Sequence, residues 1–168
     1  MKTMVVYSTL TGYTKKVAEA IQKGLPEGTE IYDVKNAPDP SAYDFIAMGF
    51  WVDKGGPNKE AAEYMAKISG KKVLNFFTLG AGPDSMHARE CGPKSHAAYG
   101  ADNTIVADWW CQGAIDPKLI EWMMKQPAGT PHSPTPEAQA RWAEAAKHPD
   151  ANDLSSATKV AADAFAKI

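Results

Sequence analysis

The feature that most limits the fold is a strand–turn–helix pattern at the start of the chain. Met4 to Tyr7 is a short apolar run with two β-branched residues, which is typical of a strand buried in a parallel sheet. Beyond it, small or apolar residues recur at the spacing of one helical face, at Val17, Ala20, Ile21, Gly24 and Leu25. The turn between strand and helix, Ser8–Thr14, is rich in hydroxyl groups and contains one glycine.

This turn has the chemistry of a phosphate site. The N-terminus of a helix offers free backbone N–H groups and the positive end of the helix dipole. Ser8, Thr9, Thr11 and Thr14 add hydroxyl donors without adding charge, and Gly12 lets the backbone approach a ligand closely. Neither a P-loop ending in Gly-Lys-Ser/Thr nor a three-glycine dinucleotide motif is present. Because the same residue types cap helices for local reasons, a plain N-cap is the competing interpretation.

Strands and helices alternate along the rest of the chain. Apolar runs predict further strands at residues 28–34, 43–50, 73–77 and 104–111. Helical spacing and capping residues predict helices at residues 59–68, from Asp116, at 135–147, and from Ser155 or Ser156 to residue 168. Such short alternating units are typical of a doubly wound parallel sheet with helices on both faces.

Proline and apolar spacing give two further expectations. Proline inside a helix costs about 3 kcal/mol, so the Gly92-Pro93 pair predicts a kink or break in the helix that starts near Asp84. Residues 126–136 hold four prolines and predict a loop. In the helix that opens at Asp116, four apolar residues are expected to face the core, namely Leu119, Ile120, Met123 and Met124.

Composition limits the class of protein. A chain of 168 residues fits one domain, which we expect to span 1–168 with the proline-rich loop and two C-terminal helices included. Two cysteines are too few for a disulfide framework and lie in no zinc-binding pattern, so we expect a reducing cytoplasm. No apolar run has membrane-spanning length and no signal peptide is evident. The net charge of −2 predicts no affinity for nucleic acid.

Three loops together resemble the FMN-binding loops of flavodoxins. Thr9-x-Thr11-Gly12-x-Thr14 after the first strand is similar to the phosphate loop of that family. Phe50–Gly56 follows the third predicted strand and Thr78–Ser85 follows the fourth, which is where the family places its two other loops. The resemblance runs from residue 1 to about residue 125 and favours the short-chain flavodoxins, since the fifth strand has no insertion. It implies a flavodoxin-like fold with a five-stranded parallel sheet of order 2-1-3-4-5 in three α/β/α layers.

The resemblance also implies the cofactor and the residues that hold it. FMN is the expected cofactor, and neither a catalytic residue nor a metal site is implied. The expected cofactor-binding residues are Ser8, Thr9, Leu10, Thr11, Gly12, Tyr13, Thr14, Phe50, Trp51, Val52, Asp53, Gly55, Leu79, Gly80, Ala81 and Gly82.

Particular roles follow for the second loop. Trp51 is expected to stack on the flavin ring, where an indole excludes water from one face and lowers the potential of the fully reduced flavin; burial in the core is the alternative. Gly55 and Gly56 allow a peptide to flip so that its carbonyl accepts a hydrogen bond from the reduced ring. The alternative for these glycines is a simple turn.

The third loop departs from the family pattern. Flavodoxins usually supply a second aromatic residue here, whereas Leu79-Gly80-Ala81-Gly82 has none. We therefore expect the second face of the ring to be covered by backbone alone or left open. His87 follows closely and is either a charge near the flavin or a solvated side chain.

Three functions remain open on the sequence. The first is an FMN-dependent electron carrier between a reductase and an acceptor enzyme, with no membrane attachment and a monomeric state. The second is an FMN-dependent NAD(P)H oxidoreductase that acts on a quinone or another small acceptor, which an open ring face would favour. The third is a flavodoxin-like domain without a cofactor that only binds a partner protein.

Overall fold

The computed structural model describes residues 1–168 and has a parallel sheet between two layers of helices. In chain order the elements are β1 (Thr3–Tyr7), α1 (Tyr13–Gly24), β2 (Glu30–Asp33), a short 3-10 helix (Pro40–Ala42), β3 (Phe45–Asp53), β4 (Gly56–Pro57), α2 (Lys59–Met65), β5 (Lys72–Leu79), α3 (Met86–His96), β6 (Thr104–Gln112), α4 (Pro117–Met124), α5 (Pro136–Ala145) and α6 (Ala151–Ala166).

The sheet has the order β2-β1-β3-β5-β6, and all of these neighbours are parallel. The two-residue strand β4 pairs only with the end of β3, in an antiparallel manner. Numbered without β4, the order is 2-1-3-4-5, which confirms the predicted flavodoxin-like fold class. Because the order reverses between β1 and β3, a crevice opens at the carboxyl ends of these strands.

Each face of the sheet buries its own apolar core. On one face, α2 and α3 cover a cluster in which Phe50 and Phe77 stack with ring centroids 5.1 Å apart. On the other face, α1 and α6 pack together, and the Thr158 hydroxyl donates to the Ala20 carbonyl at 2.8 Å. A Cβ on Gly24 would lie 2.1 Å from the Thr158 carbonyl oxygen, so glycine is what allows these two helices to touch. Fully burying each large apolar side chain contributes about 1.5–3 kcal/mol.

The third strand is longer than predicted, and its extension forms a β-hairpin. Trp51, Val52 and Asp53 continue β3 rather than starting a loop, and Val52 and Asp53 pair with β4. Lys54 and Gly55 make the turn with φ of 52° and 82°. Two positive φ values in a two-residue turn match the twist of paired strands. The usual sequence signal for such a turn is Asn-Gly or Asp-Gly, so the Lys-Gly pair did not indicate a hairpin.

The structure excludes the break expected at Gly92-Pro93 and moves the start of the last helix. Helix α3 continues through Pro93 to His96 instead of breaking there. Gly92 has no Cβ to collide with the proline ring, which removes much of the usual penalty on the residue before proline. Helix α6 begins at Ala151, not near Ser155, because Asp150 and Asp153 form a capping box.

Candidate functional site

A cavity of about 760 Å³ lies at the carboxyl ends of β1, β3 and β5. This volume is in the range of small-molecule sites, about 300–1,000 Å³. All three loops singled out in the sequence contribute to its lining, together with residues of a segment that follows β6. The structure thus brings together three stretches that are far apart in the sequence.

The first turn leaves the N-terminus of α1 free of side-chain capping. Gly12, at φ 94°, is the N-cap residue and no side chain bonds to the first helical turn. The Thr9 hydroxyl instead accepts from the Gly12 N–H at 2.9 Å. The N–H groups of Tyr13, Thr14 and Lys15 have no acceptor within the chain. The plain N-cap interpretation is therefore wrong, and these unpaired donors suit an anion at the helix end.

Two links, made of three hydrogen bonds, hold the three loops in register. Asn58 donates from Nδ2 to the Ser8 hydroxyl at 2.7 Å, and its Oδ1 accepts from the Trp51 N–H at 3.3 Å. The Thr14 and Thr78 hydroxyls bond to each other at 2.8 Å. Asn58, Ser8, Thr14 and Thr78 are all buried, so these bonds fix the loops without involving a ligand. We call these two links the loop clamp.

Most of the residues expected to bind a cofactor line the cavity, namely Leu10, Thr11, Tyr13, Thr14, Trp51, Val52, Asp53, Gly55, Leu79, Gly80 and Ala81. Five do not: Ser8, Thr9, Gly12, Phe50 and Gly82. Ser8 is held in the loop clamp and Phe50 lies in the core against Phe77. The Thr9 hydroxyl accepts a hydrogen bond within the turn itself, so Thr9 helps to fix the shape of that turn.

Trp51 belongs to neither core cluster, is half-buried and lines the cavity. The core alternative for this indole is therefore wrong. Beside it, Lys54 and Gly55 also line the cavity, and a Cβ on Gly55 would lie 3.8 Å from the His87 ring. The hairpin turn and His87 thus form one corner of the site.

Comparison with known proteins decides the family. A family model described as a flavodoxin domain matches residues 4–162. The chain belongs to the flavodoxin family. The flavodoxin-like domain-containing protein BilS of Clostridioides difficile (strain CD3) is 35% identical over 119 residues, which is 68% of each chain.

Solved structures agree on the flavodoxin fold. Oxidised flavodoxin 2 from Bacillus cereus has a TM-score of 0.57 at 16% identity and covers 99% of both chains. A flavoprotein from Lactobacillus acidophilus NCFM, solved in complex with FMN, has a TM-score of 0.50 at 17% identity. That match covers 65% of this chain and 92% of the other.

The sequence predicted the three flavodoxin loops, but it did not predict one further wall of the cavity. It comes from residues 113–145, which contain α4, the proline-rich loop and α5, and which we call the cover. Its cavity-lining side chains are Ile115, Asp116, Leu119, Trp122, Met123, His132, Arg141 and Trp142. The loop after β5 supplies no second aromatic residue, but the cover adds the indoles of Trp122 and Trp142 to the cavity lining.

The cover has a small core of its own, which explains why its orientation was mispredicted. Met123 of α4 packs on Ala138 and Trp142 of α5, and Ile115 and Ile120 pack beside them. Leu119 and Met124 were expected to face the sheet, but they are 47% and 48% exposed. Helical spacing identified an apolar face on α4, but that face packs against α5.

Hydrogen bonds join the start of the cover and the end of β6 to the loop after β5. The Gly113 N–H donates to the Leu79 carbonyl at 2.8 Å, and the Gln112 side-chain Nε2 donates to the Gly80 carbonyl at 3.1 Å. A Cβ on Gly80 would lie 2.7 Å from Ile115 Cγ1. The third flavodoxin loop is therefore glycine-rich where the cover packs directly against it.

The charged groups around the cavity are mixed in sign. Asp53 and Lys54 lie on the hairpin, whereas Asp116 and Arg141 lie on the cover. The Asp116 carboxylate accepts from the Lys118 N–H at 3.0 Å, at the start of α4. Arg141 takes part in none of the ion pairs of the chain.

The cysteines lie outside the cavity. Both are unpaired and buried. Burial raises the pKa of the Cys91 thiol, and burial together with nearby Asp153 and Asp150 raises the pKa of Cys111. Both groups therefore stay as neutral thiols and pack as small apolar residues.

No helix in the structure has the length and apolar character needed to cross a membrane.

Proposed function

We propose that this flavodoxin binds FMN in the cavity and carries electrons between a reductase and an acceptor enzyme. The observation that supports this most strongly is the uncapped start of α1, where three unpaired N–H groups adjoin a cavity lined by Trp51. A phosphate and a flat ring are the two ends of FMN. The relative from Lactobacillus acidophilus, solved with FMN, supports the same cofactor.

The residues at each end suit FMN chemically. The N–H groups of Tyr13, Thr14 and Lys15, with the Thr11 hydroxyl, would hold the phosphate without a bound cation. The Trp51 indole would lie against the isoalloxazine ring and exclude water from it. When bound, FMN supplies the redox chemistry, and the chain determines its access to water and to partners.

The loop clamp prepares the site before any ligand arrives. Asn58 connects the phosphate turn to the backbone of Trp51, and the Thr14–Thr78 bond connects that turn to β5. A site that is already ordered avoids the entropy cost of ordering loops upon binding. A carrier with such a site keeps its cofactor through repeated contacts with partners.

An anaerobic reductive titration of the FMN-loaded protein, followed by absorbance, tests the proposal. We expect stoichiometric uptake of FMN, reversible bleaching by a chemical reductant, and no bleaching by NADPH until a reductase is added. A preparation that stays colourless and takes up no FMN would remove the proposal and leave the partner-binding domain as the function.

The cover favours a second function, an FMN-dependent oxidoreductase that acts on a small acceptor. It adds an apolar wall to the cavity beyond the three flavodoxin loops, which a carrier that meets only large proteins does not need. In this case NADPH alone bleaches the bound flavin and a quinone restores the colour. The same titration therefore separates the two functions.

The proposed setting is a reducing cytoplasm. Support comes from the two buried, unpaired cysteines, because such thiols persist where disulfides do not form. The chain has a net charge of −2, so we propose that redox partners recognise local shape around the cavity more than a strong overall field.

A further inference from the structure

The cover end of the cavity combines apolar walls with an unpaired cation. Its walls come from Ile115, Leu119, Trp122, Met123 and Trp142. Arg141 and His132 line the same end. Pockets of this kind, apolar with a few polar groups, are typical of sites for small organic ligands.

Arg141 is an exposed side chain of α5 that lines the cavity and is free to pair with an anion entering it. Its guanidinium lines the cavity and makes no ion pair, although Asp116 lines the same cavity. An arginine fork matches the two oxygens of a carboxylate, and those of a sulfonate or phosphate as well. Asp53 and Asp116 line the cavity without forming an ion pair with Arg141, so the guanidinium stays available to an anion on a ligand.

The aromatic residues beside Arg141 define the body of that ligand. Trp122 and His132 lie with ring centroids 5.6 Å apart and their planes tilted by 58°. The Trp122 side chain is 48% exposed and Leu119, one turn earlier on α4, is 47% exposed. Apolar surface left open at the mouth of a cavity is stabilised when a flat apolar ligand covers it.

The cover reaches the cavity from a different part of the sheet than the three flavodoxin loops do. The three flavodoxin loops follow β1, β3 and β5, which are central strands, whereas the cover follows β6 at the sheet edge. The cavity is continuous between the two.

We propose that the cover end of the cavity is a second binding site, for a flat unsaturated organic acid whose anionic group pairs with Arg141 and whose body lies against Trp122. The site rests on the proposed FMN function, because it places its ligand beside the flavin. With a quinone acid as the ligand, two electrons from reduced FMN and two protons reduce the quinone to the hydroquinone. FMN returns to its oxidised form in that step.

Calorimetric titration of the FMN-loaded protein measures the site without any redox step. The probes are naphthalene-2-sulfonate and the uncharged naphthalene-2-sulfonamide, which share one flat body. We expect the sulfonate to bind about tenfold or more tightly than the sulfonamide, since a hydrogen bond to a charged group contributes roughly 1.5–3 kcal/mol. Equal affinities, or no binding of either probe while FMN is bound, would overturn the proposal.

Variants assign the anion to Arg141. R141Q should lose the preference for sulfonate and keep the affinity for sulfonamide. R89Q is the matched control, because Arg89 is exposed on α3 and does not line the cavity. W122A should lower the affinity for both probes. This result separates contact with the flat ring of the probe from contact with its charged group. An R141Q protein that keeps the wild-type preference would refute the role of Arg141.

One more comparison excludes the phosphate of FMN as the partner of Arg141. FMN and riboflavin differ only in that phosphate, so their affinities are measured for wild type and R141Q. We expect the ratio of the two affinities to be unchanged. A ratio that falls about tenfold would assign Arg141 to the FMN phosphate and overturn the second site while leaving the proposed function intact.

A kinetic measurement connects the site to electron transfer. Reduced protein is mixed with 1,2-naphthoquinone-4-sulfonate or with uncharged 1,2-naphthoquinone, and the return of flavin absorbance is recorded. We expect R141Q to slow reoxidation by the sulfonate selectively. Equal slowing of both reactions, or of neither, would contradict a site that recognises the anion.

Discussion

The two ends of the cavity are built in different ways. The three-loop end follows the central strands β1, β3 and β5, which are largely buried. The loop clamp fixes this end with buried hydrogen bonds. The cover end lies beyond the edge strand and depends on a core of three buried residues. One end is therefore supported by the whole domain, whereas the other is supported mainly by two short helices. Stability is not uniform across a fold, and the less supported part is the part that can adapt to a ligand.

The largest expected effect comes from W142A, which removes the centre of the small cover core. Truncating a buried tryptophan costs about 3–5 kcal/mol, and Trp142 is only 7% exposed. We expect this loss to open the cover locally, seen as fast hydrogen exchange in α4 and α5, while FMN still binds. W109A, in the edge strand β6, is the control outside the cover. Global unfolding of W142A would show that the cover and the body form one cooperative unit.

The loop clamp gives the next largest effect. N58A removes both bonds of a buried side chain and leaves the Ser8 hydroxyl and the Trp51 N–H without this partner. Unsatisfied buried groups cost roughly 1–3 kcal/mol, and we expect a destabilisation of about that size with weaker FMN binding. Denaturant unfolding and FMN titration measure the two losses.

A matched control for N58A is N152A, because Asn152 is exposed in the first turn of α6. It should change neither stability nor FMN binding. If N58A also binds FMN as wild type does, the clamp stabilises the fold without shaping the site.

A smaller effect is expected from T14V, which breaks the Thr14–Thr78 hydroxyl bond at 2.8 Å. One neutral hydrogen bond contributes about 1 kcal/mol. T104V, at the exposed start of β6, is the control. Thr78 keeps its hydroxyl without a partner in T14V, so the double variant T14V/T78V should recover part of the loss. If T14V/T78V recovers no stability, the loss in T14V comes from another contact of the Thr14 hydroxyl.

The smallest effect depends on pH and concerns the junction between α5 and α6. A hydrogen bond from His148 to Asp153 raises the pKa of His148 above its ordinary 6.5. Protonated His148 therefore stabilises the folded state below the unfolded pKa, and this contribution is lost as pH rises through the folded pKa. Relative to H148Q, wild type should gain about 0.5–1 kcal/mol in acid after allowance for solvent screening. Unfolding at about pH 5.5 and about pH 8.5 measures the difference.

H87Q is the control for this pH dependence, because His87 makes no ion pair. Its stability should follow wild type at both pH values. If H148Q has the same pH dependence as wild type, protonation of His148 beside Glu144, Asp150 and Asp153 does not stabilise the fold.

The contrast between the two ends also explains what the sequence could predict. The strand–turn–helix start and the positions of the three loops follow from local patterns, whereas the strand order was implied by the resemblance to flavodoxins, and all appear in the structure. Each of the three loops directly follows a strand, so the residues that identify it lie next to each other in the sequence. The hairpin was missed because Lys54-Gly55 takes the two positive φ values that Asn-Gly or Asp-Gly usually supplies. The continuous helix was missed because Gly92 precedes Pro93 and has no Cβ to collide with the proline ring.

The cover could not be predicted from local patterns. Its apolar spacing was recognised, but spacing does not tell which surface an apolar face meets, so Leu119 and Met124 were assigned to the core. Arg141 and His132 carry no motif, and the chain fold alone brings them to the cavity. The prolines of residues 126–136 did indicate that the two helices are joined by a loop.

The most direct measurement of the central claim is an NMR titration that follows the backbone amides of Tyr13, Thr14 and Lys15. These three N–H groups are unpaired at the start of α1 and would bind the phosphate of FMN. We expect large shifts of all three on adding FMN, and little change on adding riboflavin, which has no phosphate. Bound FMN that leaves these amides unchanged would contradict the claim.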